Sequence, residues 1–265
     1  MKYIDVSEHQ GVIDFERVKG SVDGIIIRAG YGRNNIDRQF LRNISECGRL
    51  EIPCGVYWFS YAFTADMAAK EAAYCLNAIA PYRTELPVCF DYEYDSVAFA
   101  AANGVTASPA LVNAAVRAFC GAVEDAGYYG MVYANPDFLR RYMTDVGGYD
   151  LWLASWPETV DVTRPPQSCG IWQWGVSAVP GIQGSVDTNE AYRDYASLIA
   201  GAGLNRPTAK HWYDDAMLWA KRNGIITEDR PTDTASRAEV VQMLHNYERA
   251  FPDNAAAVSM EEKTE

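Results

Sequence analysis

Two rhythms of apolar and polar positions take turns along this chain. Short runs dense in β-branched and aromatic residues predict strands at residues 3–7, 24–30, 54–61, from 86 through Asp91 and Glu93, and at 129–135, 150–154, 169–174 and 184–187. Between them lie stretches of helix formers with their own start and stop signals. Helices are predicted over 14–19, over 37–47 with Gly48 as the glycine after its end, and from a Thr64 cap to about Ala80. Another starts at Ser108 with Pro109 in the first helical position and runs to about Ala126; a short one starts at Pro136, and a last one spans Glu190 to about Ala200. Strand, helix, strand, helix in regular order predicts a parallel sheet with right-handed crossovers. Eight strands within about 200 residues predict a closed α/β barrel, and only loops separate the last three strands. The expected fold is therefore an irregular TIM-like (β/α) barrel of eight strands with helices missing late in the chain, followed by a small C-terminal helical segment.

The run Leu86-Pro87-Val88-Cys89-Phe90-Asp91-Tyr92-Glu93 opens apolar and ends in carboxylates. In a strand, positions i and i+2 share a face, which sets Asp91 and Glu93 side by side with Cα atoms roughly 6.5–7 Å apart. Two carboxylates that close do not ionise independently, and one keeps its proton toward neutral pH, as a general acid needs. A bare acid pair at a strand end is more often a solvated edge. Here Asp5, Asp91, Glu93 and Asp187 all fall at or near predicted C-terminal strand ends, where a barrel keeps its active site.

Composition narrows the chemistry. The 265 residues carry a formal charge of −12, which excludes non-specific nucleic-acid binding and a polybasic membrane patch. No run of 18 apolar residues is present to span a membrane. The N-terminus enters a strand directly, so no signal peptide is expected: either release through a membrane opened by another protein, or a mature form trimmed of its leader. Six cysteines without a C-x-x-C pair read as reduced, small core residues, and three histidines show no metal-ligand spacing. No metal and no organic cofactor is expected. Seven Trp and 17 Tyr are more than a core needs and suit a sugar-binding cleft, although a large barrel core would also use them.

The residues Asp5-Val6-Ser7-Glu8-His9-Gln10-Gly11, Phe90-Asp91-Tyr92-Glu93, Trp152-Leu153-Ala154-Ser155-Trp156, Trp172-Gln173-Trp174 and Val186-Asp187-Thr188-Asn189 stand in an order that resembles glycoside hydrolase family 25, the Chalaropsis-type lysozymes. The resemblance covers residues 1 to about 200. It implies a barrel that cleaves the β-1,4 bond between N-acetylmuramic acid and N-acetylglucosamine in bacterial peptidoglycan. It assigns Glu93 as general acid, Asp91 as the neighbouring carboxylate, and Asp5 and Asp187 as the acids completing the site. Tyr57, Phe59 and Tyr133 lie on strands that supply wall residues in this family, and Trp152, Gln173 and Arg28 are further substrate-binding candidates. As barrel residues, the three rings are equally good core. Asp91 stabilises positive charge on the sugar ring, or it orients the substrate's 2-acetamido group as an internal nucleophile; sequence leaves both open. Chitinases share the D-x-E but place another Asp two residues earlier, where this chain has Cys89. A catalytically dead glycan-binding barrel is the alternative from another class, and such a barrel would not need its acid. The setting expected is the cell wall, as for a phage or prophage endolysin or a bacterial autolysin.

By composition the chain divides into a catalytic barrel at 1–200, a linker at 201–209, a two-helix segment at 210–250 and a tail at 251–265 expected to be disordered. Trp212-Tyr213-Asp214-Asp215-Ala216, Trp219-Ala220, Gly224-Ile225-Ile226 and Ser236-Arg237-Ala238-Glu239 resemble a single surface-layer homology motif. That resemblance implies a contact with cell-wall polysaccharide, with Arg237 at the ligand.

Overall fold

A computed structural model of the chain describes residues 1–205, 214–226 and 235–250. The chain forms two compact units, Met1–Ala209 and Lys210–Glu265. Nine strands make up the sheet of the first: β1 (Lys2–Val6), β2 (Gly24–Tyr31), β3 (Asn35–Ile36), β4 (Cys54–Phe59), β5 (Val88–Asp91), β6 (Gly130–Ala134), β7 (Asp150–Ala154), β8 (Ile171–Ser177) and β9 (Val186–Ala191). Their order is β1-β9-β8-β7-β6-β5-β4-β2-β3, and β1 also pairs with β2. That pairing closes eight strands into a barrel, with β3 a short flap on β2. The helices are α1 (Phe15–Val18), α2 (Phe40–Leu50), α3 (Ala65–Ile79), α4 (Tyr94–Ala102), α5 (Pro109–Asp125), α6 (Pro136–Arg141) and α7 (Tyr195–Ala202). The expected α/β barrel, with no helix between β7, β8 and β9, is the one observed.

The interior is built by the period of two. At one level the inward residues are apolar: Tyr3, Ile26, Cys89, Met131, Ile171 and Ala191 form one buried cluster. Two residues up each strand, the same face carries Asp5, Arg28, Asp91, Tyr133 and Gln173, and on the reversed β9 it carries Asn189. The barrel thus has an apolar floor and a polar upper layer. Tyr195 and Ile199 of α7 join Leu86 in closing the floor from below. Outside, α3 and α5 pack on each other and against β4, β5 and β6, which explains why the outward residues Val56, Trp58, Val88, Phe90 and Val132 are buried as well.

Four local expectations are corrected. The sheet is not all parallel: β9 runs antiparallel to both β8 and β1, because only a short connection follows Ser177. β9 also continues through Ala191, so Glu190 is strand and the closing helix starts at Tyr195. Helix α2 runs past Gly48, because its apolar face Phe40, Ile44 and Cys47 continues to Leu50. Glu51, at φ 56°, makes the left-handed turn instead. The start of the expected linker is anchored rather than free. Asn205 is buried, accepts from the Tyr129 N–H at 2.7 Å and donates to the Leu86 carbonyl at 2.8 Å.

In the second unit, α8 (Asp214–Arg222) and α9 (Arg237–Ala250) are joined where the Asn246 amide donates to the Ile225 carbonyl at 3.1 Å. The Ser236 and Glu239 capping box forms, with the Ser236 N–H on the Glu239 carboxylate and the Glu239 N–H on the Ser236 hydroxyl. Trp212, Tyr213 and the tail at 251–265 lie outside the described residues.

Candidate active site

Asp91 is the last residue of β5, and Glu93 is the residue from which α4 starts. Glu93 is therefore not in the strand. Its backbone stays extended, at φ −129° and ψ −166°, so the alternation that sets it beside Asp91 survives the strand end. The helix that follows, α4, has no counterpart among the helices expected from the sequence, where the strand continues through Glu93. Its start fixes Glu93: the Glu93 N–H donates to the Ser96 hydroxyl at 3.0 Å, and Ser96 is fully buried. The N-terminus of α4 also favours a carboxylate there once a proton has left.

Asp5 and Asp187 come together by register, as direct partners across β1 and β9. Asp187 opens β9 rather than ending it. Because β9 is reversed, that start lies at the same rim as the C-terminal ends of the parallel strands, so the correction in strand direction leaves the acid in the cluster. Asp5 and Asp91 are buried, at 7% and 4% exposure, whereas Glu93 and Asp187 are half-buried and reach the opening.

All four carboxyls are pushed above their usual range. Burial is the first cause at each of them. For Asp5 the charge of Asp187 adds to it and takes the value to about 7, against opposing hydrogen bonds from Asn189 and Gln173. Asp91 is raised by burial and then by Glu93 and Asp5, and its carboxyl shares a hydrogen bond with Glu93. Glu93 is raised by burial, opposed by the bond from Asp91 and helped by the charges of Asp95 and Asp187. Asp187 is raised by burial alone. The cluster thus keeps protons toward neutral pH, as expected of crowded carboxylates over an apolar floor.

Two amides hold Asp5, and three aromatic donors orient those amides. Gln173 Nε2 and Asn189 Nδ2 donate to Asp5 Oδ2 at 3.1 and 2.9 Å. The Gln173 oxygen accepts from the Tyr133 hydroxyl at 3.2 Å and the Trp156 indole at 3.3 Å, and the Asn189 oxygen accepts from the Trp152 indole at 2.7 Å. With each oxygen occupied, each amide nitrogen must face Asp5. Asn189 was not singled out from sequence, although it closes one of the matching motifs.

The other candidates divide. Tyr133 sits among all four acids: burial, then Glu93, Asp91, Asp5 and Asp187 hold its hydroxyl neutral. Trp152 is buried at 2% exposure between Tyr57 and Tyr133, where its indole orients Asn189. Exposed Trp156, four residues on, faces solvent at 56%. Tyr57 packs on the floor cluster, and half-buried Phe59 lies opposite Asp91 in the β4–β5 register. Arg28 is spent on the loop after β1: its guanidinium bonds Glu8 at 2.9 Å and Asp37 at 2.8 Å. Asp37, fully buried, also accepts from the Glu8 and Gln39 N–H groups. Nothing in its sequence context marks that role. Among the described residues, no group of three His, Cys, Asp or Glu is placed to hold a metal ion, and no helix is long and apolar enough to cross a membrane.

A further buried acid stands behind the site. Glu71 on α3 is 3% exposed, accepts from the Tyr61 N–H at 3.0 Å, and is pushed by burial from 4.5 to about 7. A carboxyl raised in the fold contributes stability that is complete below its unfolded value and is lost as pH rises through its folded value. Glu71→Gln removes that titration. Relative to wild type, the variant is expected to gain stability as pH rises from 4.5 to about 7, by at most about 1.4 kcal/mol per pH unit, read from paired chemical melts. A difference that stays flat across that window contradicts the buried, raised carboxyl.

The sequence matches the model of glycosyl hydrolases family 25 over residues 4–182. The chain belongs to that family. No curated protein sequence matches it. Among solved structures, the modular autolysin LytC from Streptococcus pneumoniae, determined with a synthetic peptidoglycan ligand, is 28% identical with a TM-score of 0.60. That match covers 71% of this chain and 46% of LytC, so this chain spans about half the length of that relative. The bacterial lysozyme from Streptomyces coelicolor, 23% identical at TM-score 0.59 over 76% of this chain and 96% of its own, shares the fold. So does the catalytic domain of endolysin ply40 from bacteriophage P40 of Listeria monocytogenes, 18% identical at TM-score 0.63 over 76% of this chain and 97% of its own.

Proposed function

We propose that this chain is a lysozyme, a peptidoglycan hydrolase that cleaves the β-1,4 bond between N-acetylmuramic acid and N-acetylglucosamine. The observation that carries the reading is the convergence of Asp5, Asp91, Glu93 and Asp187 on one rim, all raised, above an apolar floor. Glu93, half-buried and at the opening, protonates the glycosidic oxygen. The bond breaks toward that oxygen, and positive charge develops on the ring carbon and ring oxygen of the muramic acid unit. Asp91 is the carboxylate closest to Glu93; it stabilises that charge directly or aligns the substrate's 2-acetamido oxygen to attack the ring carbon. Glu93, now anionic at the start of α4, takes the proton of the water that completes hydrolysis. Configuration is retained on this reading. Asp5, held by two oriented amides, and Asp187 position water and sugar hydroxyls and keep Glu93's proton on by like-charge pressure.

The test is mass spectrometry of soluble products released from purified peptidoglycan. Disaccharide-peptides with a reducing N-acetylmuramic acid end support the reading; reducing N-acetylglucosamine ends keep the barrel and change the bond, and no release at all removes the activity. The site of action on this reading is the bacterial cell wall. A contact between residues 210–250 and wall polysaccharide is a separate proposal, which rests on the motif resemblance alone. A chain ending at Ala209 is expected to sediment with purified walls less than the full chain, and equal sedimentation would dispose of it.

A further inference from the structure

The rim next to Glu93 carries aromatic rings that the four-acid site does not use. Phe59, Tyr61, Phe99 and Phe63 stand in series. Ring centroids are 5.2 Å apart for Phe59 and Tyr61, 5.1 Å for Tyr61 and Phe99, and 6.2 Å for Phe99 and Phe63. None of the four is buried, and Phe99 is 42% exposed. The series starts at the acids, because Phe59 is the register partner of Asp91. It leads away from them, because Phe99 lies six positions along α4 from Glu93, about 9 Å of helix rise.

The loop that carries Tyr61 and Phe63 is held from beneath by buried polar groups. The Ser60 N–H donates to the Asp91 carbonyl at 2.7 Å, the Ala62 N–H to the Ser60 hydroxyl at 3.1 Å, and the Tyr61 N–H to the Glu71 carboxyl at 3.0 Å. Ser60 and Glu71 are both buried. A loop pinned this firmly presents its rings in a fixed arrangement, so little ordering remains to be done when a ligand arrives. The charges that reach Tyr61 select the ligand. After burial, the Asp95 charge raises its hydroxyl ahead of the opposing Arg28 guanidinium, so the negative side chain at this edge disfavours an anionic group. Neutral, flat and apolar faces are what fit, and the ring faces of N-acetylhexosamines provide them.

We propose that Tyr61, Phe63 and Phe99 form a distal glycan subsite, which stacks on sugars of the same strand beyond those in contact with the acids. The subsite rests on the lysozyme reading for its substrate and adds a preference for long strands over short fragments. Asp95 at its edge orients it toward sugar rings and away from the carboxylates of stem peptides.

The experiment uses the full chain and peptide-free glycan strands, long or trimmed to tetrasaccharides. Phe99→Ala is expected to raise KM for long strands about tenfold while kcat changes less than twofold, with Phe99→Trp restoring KM. Leu198→Ala removes an equally exposed apolar side chain from α7, which packs at the opposite end of the barrel, and serves as the control. An unchanged KM on long strands in Phe99→Ala, or an equal rise on tetrasaccharides, overturns the subsite. Calorimetric binding of long strands is measured in parallel and needs no turnover. Weaker binding by Phe99→Ala together with no cleavage by wild type would keep the subsite and remove the lysozyme reading. Cleavage by wild type with unaltered binding in Phe99→Ala would do the reverse.

Discussion

Glu93→Gln is expected to lower kcat for glycan-strand hydrolysis by about 10³–10⁴-fold with KM changed little, since general acid catalysis contributes up to that much. The amide keeps the size and shape of the carboxyl and loses only the transferable proton. The capping-box contacts that place residue 93 survive the change, because an amide oxygen still accepts from the Ser96 N–H. The N–H still donates to Ser96, and α4 still begins at residue 94. The melting temperature is therefore expected to stay within a few degrees of wild type, or to rise, because a crowded carboxyl has been neutralised. The two readouts together decide the matter. Turnover near that of wild type removes Glu93 as the acid, and a collapse of the melt would show that the residue holds the rim together rather than acting on substrate.

The barrel was legible because its cause is local. Each strand run is short, apolar and bounded by turn residues, and eight such runs in a row leave few alternatives to closure. The acids were legible for the same reason, as polar residues ending apolar runs. What stayed hidden depends on direction and on long-range partners. Nothing in residues 184–191 says that the strand is reversed; that follows from the short link after Ser177 and from pairing with β1, far away in sequence. The reversal leaves Asp187 at the rim with Asp5, so the acids still gather although the strand carrying one of them runs the other way. Helix α4 was masked because Glu93 satisfies both readings, the extended residue of a strand end and the residue before a helix. Trp152 misled for a further reason. A tryptophan at the top of a barrel strand serves a cleft or a core equally well, and its burial and bond to Asn189 are long-range facts that no local pattern carries. Asp37 and Glu71 carry no motif at all. Their importance lies in backbone N–H groups they serve from other loops, and no spacing rule encodes that.

Asp91→Asn is expected to lower kcat by about 10²–10³-fold and to narrow the active pH range from its basic side. In the native chain Asp91 and Glu93 share a hydrogen bond, both are raised, and Asp5 presses on Asp91 as well. Such a pair releases its last proton at a higher pH than either acid would alone, and that release sets the basic limb of kcat/KM. With asparagine at 91 the strongly raised Asp91 proton is gone, and of the pair only Glu93 remains, raised by burial and by Asp95 and Asp187. The basic limb moves to lower pH. Burial makes the loss of rate large as well. Asp91 is 4% exposed and its Oδ1 has no hydrogen-bond partner in the protein, so its charge, when present, is directed at the substrate rather than dissipated in solvent. The two roles open to Asp91 then separate by substrate. If it aligns the 2-acetamido group, replacing that group by a hydroxyl in a synthetic glycan abolishes turnover in wild type and variant alike. If it stabilises ring charge directly, the hydroxyl substrate still distinguishes wild type from Asp91→Asn by the full factor. A variant that kept wild-type rate and pH profile on native strands would exclude Asp91 from either role.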